Sequence, residues 1–371
     1  MTITSRAMRQ LDAAIARTRE PVAHACLRAE RAGLLARHGQ LEAARAELAD
    51  LHAQRERLAS ATLAAWVCLA EGLLAYFTEM DSDARDRVLR AHAMAVAARA
   101  RPLLALSAAW LAHLDYVRHD IAGMGRHVAE SLQEAAADHH AARARASLVV
   151  AEGYHFGERL DLAQPWYERA REHATAEGDH ATLGALMHNR AWLSGDQARL
   201  ASVFDPDASH QARARQALLA AESTGYFDQQ VGGPLGALVP VLRAQLQLVR
   251  GEHEAALALY EAHLGQALEQ GLARKRSVYD ADLAWCKLQL GRPDDALADA
   301  RRAESALAAG CDIDDQAVAH ARLAQVFHGL DKVGESERHA AQAVLDLKAH
   351  RDQQARVVEA LDRALEQVFL F

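Results

Sequence analysis

Apolar residues recur at helical spacing along most of the chain, and several segments repeat one arrangement. An apolar helix with a small residue at its middle is followed by a polar or glycine turn, then by a second helix with a central alanine. Residues 39–48 (GQLEAARAEL), 251–260 (GEHEAALALY) and 291–300 (GRPDDALADA) each show the turn and the second helix. Aligned on the small residue of the first helix, the series is Ala32, Gly72, Ala112, Ala151, Ala191, Ala244, Ala284 and Ala324. The spacings are 40, 40, 39, 40, 53, 40 and 40 residues. Twelve residues on, Ala44, Ala84, Ala163, Ala256 and Ala296 supply a second small position. Four further on stands a larger residue: Leu48, Val88, Val128, Tyr167 or Tyr260.

Small residues at facing positions let two antiparallel helices approach closely. One such hairpin buries too little apolar surface to fold alone, whereas a stack of them shares a continuous core. The pattern therefore predicts eight hairpins over residues 25–350. Pro293 suits the first turn of a helix, and Asp312 with Asp315 is expected to satisfy free N–H groups at a helix start. Residues 4–20 are expected to form a capping helix within an N-terminal segment 1–24. Residues 352–371 form another within the segment 351–371, ending in the apolar run Val368–Phe371. That run fits a cap on the last hairpin, a homodimer contact, or a helix continuing into a further domain. The 53-residue spacing places an insertion near 197–210, either beside a binding face or as a surface excursion. The glycine-rich run Val231–Gly236 lacks the lysine and the preceding strand of a phosphate loop.

Composition narrows the class. Of 371 residues, 51% are apolar, 25% charged and 5% aromatic, which supports a packed helical core and excludes a disordered or collagenous chain. The net charge is −8, and residues 1–150 carry 19 basic and 17 acidic side chains, so the excess acid lies beyond them. An acidic C-terminal two-thirds repels phosphate backbones and argues against nucleic-acid binding by this chain alone. Cys26, Cys68, Cys286 and Cys311 show neither zinc-ligand nor disulfide-frame spacing. The start lacks a signal-peptide stretch, and Glu71, His113 and Asp115 interrupt the two most apolar windows. No membrane span and a cytoplasmic location are the expectation.

The small residue, the turn, and the alanine and tyrosine of the second helix resemble the tetratricopeptide repeat. Gly251, Ala256 and Tyr260 carry the resemblance best, followed by Glu158, Leu160, Ala163, Tyr167 and Ala170. The period of 40 exceeds that repeat's usual 34 and is similar to sensor arrays of bacterial regulators. The resemblance implies an all-α, right-handed α-solenoid whose first helices line a concave groove. Groove positions then fall one and four residues after each marked small residue, and two, three and six before it. In the early hairpins they include Trp66, Tyr76, Trp110, His113 and Tyr116. The central ones bring Arg145, Glu152, His155, His188, Asn189 and Trp192, and the later ones Gln245, Trp285, Arg322, Gln325 and His328. Four of the five tryptophans are among them; the fifth, Trp166, lies on a second helix.

Asn189 is the only asparagine. Its amide both donates and accepts, which suits an extended peptide backbone, although a helix-packing role fits it better. The tryptophans likewise fit either a groove or a core between hairpins. Metalloprotease, nucleophile-elbow, dinucleotide and EF-hand motifs are absent, and the pairs His139/His140 and His119/His127 read as solvated helix faces. The chain is thus expected to be a non-enzymatic protein- or peptide-binding module in bacterial signalling, with no cofactor or metal. A small-molecule sensor and an oligomerisation scaffold are the alternatives.

Overall fold

The computed structural model describes residues 5–54, 57–79, 83–205, 214–223, 238–307 and 311–369. The described residues hold helices and no strand. They fall into two compact units, one drawn from Met1–Leu186 and Arg356–Phe371, the other from Met187–Gln229 and Leu235–Ala355.

The first unit contains α1 (Arg6–Arg17), α2 (Pro21–Arg37), α3 (Leu41–Gln54), α4 (Ala61–Glu79) and α5 (Asp83–Ala97). It continues through α6 (Arg101–Val117), α7 (Ile121–Glu134), α8 (His140–Phe156) and α9 (Leu160–Glu177). Consecutive helices pair as α2/α3, α4/α5, α6/α7 and α8/α9, and the first members pack side by side as α2, α4, α6 and α8. Ser5 caps α1 through the N–H of Met8, Glu20 caps α2 with Pro21 at its first position, and Asp120 caps α7. Helix α4 holds the one described stretch long and apolar enough to cross a membrane, Ala61–Thr78 with a mean hydropathy of 1.5. Its apolarity serves packing here: Leu63, Ala65, Leu69 and Leu73 are buried in the core.

In the second unit, α10 (His180–Phe204, from Met187 on) packs with α11 (214–223) and α12 (Leu238–Val249) through Ala191, Ala198, Ala214, Ala217 and Leu242. Then come α13 (His253–Ala267), α14 (Arg276–Gln289), α15 (Pro293–Leu307), α16 (Ile313–Gly329) and α17 (Val333–Phe369, to Ala355). Pairs α12/α13 and α14/α15 form, with α14 against α16. Ser336 of α17 bonds the carbonyl of Ala324, and His339 stacks on Phe327. Of the region expected to hold an insertion, Gln197–Phe204 continues α10 while residues 206–210 lie outside the described residues, as does Val231–Gly236.

The later part of α17 belongs to the first unit. A Cβ at Gly153 would lie 2.6 Å from Leu361 Cδ1, and one at Gly125 would lie 3.1 Å from the Ala360 carbonyl, so this part rests on α7 and α8. Tyr154 donates to Asp362 at 2.6 Å. Val368 packs against the same core, and residues 370–371 of the apolar tail lie outside the described residues.

The hairpin turns share one geometry. Gly39, His119, Glu158, Gly251, Gly291 and Asp331 each take positive φ, between 57° and 80°. The next residue's N–H then bonds a carbonyl five positions back, as Asp120 to Asp115 at 2.9 Å and Arg159 to Tyr154 at 2.8 Å. This left-handed cap satisfies carbonyls at the end of the first helix. Glycine adopts it freely, while Glu158 and His119 adopt it against their Cβ atoms. Nothing lies within 4 Å of a Cβ built on Gly251, so only the backbone penalty operates there. Gly251→Ala is expected to lower stability by ~1 kcal/mol, and Glu158→Gly to raise it by ~0.5–1 kcal/mol. Urea unfolding measures both; a change of the opposite sign at either turn contradicts the geometry.

Candidate functional site

On the first unit, the face built by α2, α4, α6 and α8 gathers around Trp110, which is 2% exposed. The Arg145 guanidinium carbon lies 4.1 Å from its ring centroid and that of Arg37 lies 5.5 Å away. Phe77 and His113 meet it edge-on at 6.0 and 5.7 Å. The Tyr76 hydroxyl is 3.0 Å from His113 Nε2. Burial pushes the Tyr76 phenol up to about 12 and, with Arg145, His113 down to about 3, so both are uncharged at neutral pH. Arg37 pairs with Asp179 and donates to Thr182 at 2.6 Å. The Arg145 guanidinium is pulled down to about 10 by burial and by the like charge of Arg37, and stays protonated at neutral pH.

The other nominated residues of this unit are placed differently. His155 bonds the Tyr167 hydroxyl on α9 at 2.9 Å, which ties it into the α8/α9 seam. Glu152 is buried on α8, and Tyr116 packs half-buried against the α7/α8 core.

On the second unit, His188 stacks on Trp192 with ring centroids 5.6 Å apart, and the Lys275 ammonium lies 5.4 Å from the Trp192 centroid. Arg322 stands 5.3 Å over Trp285, with His253 edge-on at 6.5 Å. Burial pushes His188 down to about 4. Asn189 is half-buried on α10. Gln245 is 1% exposed, and neither its amide oxygen nor its nitrogen has a partner among the described residues. Each of these tryptophans, like Trp110, thus carries a cation from another first helix or the segment leading into one. Such pairs contribute most when desolvated.

Several charged residues escaped the sequence reading. Arg199, 1% exposed, bonds Asp196 at 3.0 Å and Asp315 at 2.7 Å, and Lys275 joins both carboxylates. Asp315 therefore serves this network, not the helix start expected of it, and Asp312 makes no side-chain cap on α16. Asp282 accepts from Tyr260 at 3.0 Å and faces Arg322 at 3.6 Å. The groove offsets applied to Ala284 and Ala32 do reach Asp282 and Glu30, so those two were findable. Of the histidines expected on solvated faces, His127 is buried against Asp115, while His139 meets the Pro102 carbonyl and His140 meets His173.

A cavity of about 280 Å³ opens within the first unit, lined by Trp66, Trp110, Leu69, Leu73, Arg37 and Glu30 among others. Glu177 lines it too. Among the described residues no ion pair joins either glutamate to a cation, and burial with the like charge of Glu177 pushes Glu30 up to about 7.

No family model matches the chain, and no curated protein matches it. Among solved structures it is similar to a Rap protein complexed with Competence and Sporulation Factor. The TM-score is 0.62 at 12% identity, over 90% of this chain and 100% of that one. The fold is shared with that Rap protein. The apo form of RapI aligns at a TM-score of 0.47 and 9% identity, over 92% and 97% of the two chains.

The raised Glu30 pKa has a signed consequence. Between pH 4.5 and 7 the folded protein keeps a proton that the unfolded chain releases, so stability falls as pH rises through that window. Glu30→Gln removes the fall. Above pH 7 the variant should be the more stable, by on the order of 1–2 kcal/mol, and below pH 4.5 the two should converge. Denaturant midpoints across this range test it, and a pH-independent difference contradicts it.

Proposed function

We propose that this chain is a non-enzymatic helical-repeat protein that binds an extended protein segment or peptide along its first-helix faces, as a regulator in bacterial signalling. The observation that carries the reading is the pairing of tryptophan with a cation at Trp110, Trp192 and Trp285. Aromatic and arginine side chains are the usual anchors of an interface. A buried amide with both ends free, as at Gln245, matches the donor and acceptor of a peptide backbone. The shared fold supports the reading too, since the similar Rap protein was crystallised with a bound factor. His188, Asn189, Trp192 and Trp285 are the proposed contacts on the second unit, and Trp110 and Arg145 on the first. Glu152, His155 and Tyr116 shape the latter from behind.

The cavity lined by Trp66 and Trp110 favours a second reading, a small-molecule sensor, because its volume suits a compact organic ligand.

Panning random twelve-residue peptides on the full chain separates the two. Under the main reading, enriched peptides bind with measurable affinity by fluorescence polarisation. Trp285→Ala and Trp192→Ala each then weaken binding by about tenfold or more. Absence of enrichment, or unchanged affinity in both variants, overturns it.

A further inference from the structure

Buried donors around Trp110 outnumber the acceptors offered to them. Arg145 is 5% exposed, and among the described residues it forms no ion pair and its Nε–H has no acceptor. Arg37 commits one terminal nitrogen to Asp179 and Thr182, and its Nε–H also lacks an acceptor. His113 Nδ1 has no partner among the described residues either, and it carries the ring hydrogen in the tautomer in which the Tyr76 phenol donates to Nε2. All three groups lie about one ring: Arg145 at 4.1 Å, Arg37 at 5.5 Å and His113 at 5.7 Å from Trp110.

An arginine that is only structural in so dry a place is ordinarily paired, because an uncompensated buried charge is strongly unfavourable. The second unit shows that arrangement, where Arg199 reaches two aspartates. Around Arg145 the carboxylates are otherwise engaged. Asp179 accepts from Arg37, Thr182 and the N–H of Ala181, and Glu152 acts on Arg145 only from beyond ion-pair distance. What Arg145 lacks, among the described residues, is therefore a negatively charged acceptor within ion-pair distance.

We propose that Arg145, Arg37 and His113 form an oxyanion-binding site on the first unit, taking a carboxylate or phosphate group of a ligand while Trp110 holds the Arg145 guanidinium in place. Two guanidinium donors and a neutral imidazole N–H match the oxygens of such a group. The site does not require the ligand to be a peptide, so it stands or falls apart from the function proposed above.

Thermal unfolding of the full chain in sodium succinate or sodium phosphate, against sodium chloride of equal ionic strength, tests the site. The two salts separate the carboxylate from the phosphate source. Either oxyanion should raise Tm by about 2 °C or more once well above its Kd. Arg145→Met should abolish the rise. In chloride the variant should unfold at or above the wild-type temperature, because an uncompensated buried cation has been removed. Arg145→Lys, which keeps the charge but loses the Nε–H fork, should retain only part of the response. The proposal is overturned if wild type responds to neither oxyanion. It is equally overturned if Arg145→Met fails to fold or melts well below wild type in chloride, because Arg145 would then be a paired structural charge.

Discussion

The closeness of paired helices at small residues is the constraint on which the rest depends. A Cβ on Gly72 would lie 2.7 Å from Val88 Cγ2, 3.1 Å from the Ala84 carbonyl and 3.2 Å from the Val88 nitrogen. Ala44, Ala84, Ala163, Ala256 and Ala296 are fully buried on the second helices. At such separation the backbones themselves form the seam, and larger side chains are left to the flanks. Those flanks stack first helix upon first helix, and this carries Trp110 and Trp285 onto a common kind of surface in each unit.

Buried charge is handled in two ways, by direct pairing, as at Arg37–Asp179 and Arg199–Asp315, and by an aromatic face, as at Arg145. Asp196, Arg199, Lys275 and Asp315 close a network in which each charge meets an opposite one. Removing one member would leave the others stranded, which gives the network a part in holding α10, α14 and α16 in register. Arg145 meets no opposite charge at ion-pair distance among the described residues and rests on the face of Trp110.

Much of the architecture was legible in sequence because it is local. The paired helices and the turn glycines follow from short-range periodicity, and the marked positions from Ala32 to Ala324 are buried. The turns at His119, Glu158 and Asp331 were harder to read, since their left-handed backbone is imposed by the hairpin on residues that do not prefer it. Which charges meet was not legible, although Arg145, Arg322, Asp282 and Glu30 fall on groove offsets. Arg37 and Asp179 stand 142 residues apart and Arg199 and Asp315 stand 116 apart, so their meeting depends on how whole hairpins stack. The same holds for Leu361 against Gly153. Among the nominated site residues, Trp110 and Arg145 meet directly, as do His188 and Trp192. His155 is turned to a tyrosine that spacing alone could not assign to it.

A double-mutant cycle between Gly72 and Val88, followed by urea unfolding, tests this seam most directly. Gly72→Ala should destabilise by ~1–3 kcal/mol, since the added methyl has no room. In a Val88→Ala background the loss should shrink by about 1 kcal/mol, because the nearest obstructing methyl is gone. A neutral Gly72→Ala, or losses that simply add, would show that the helices do not meet there and would remove the basis for the surfaces built on them.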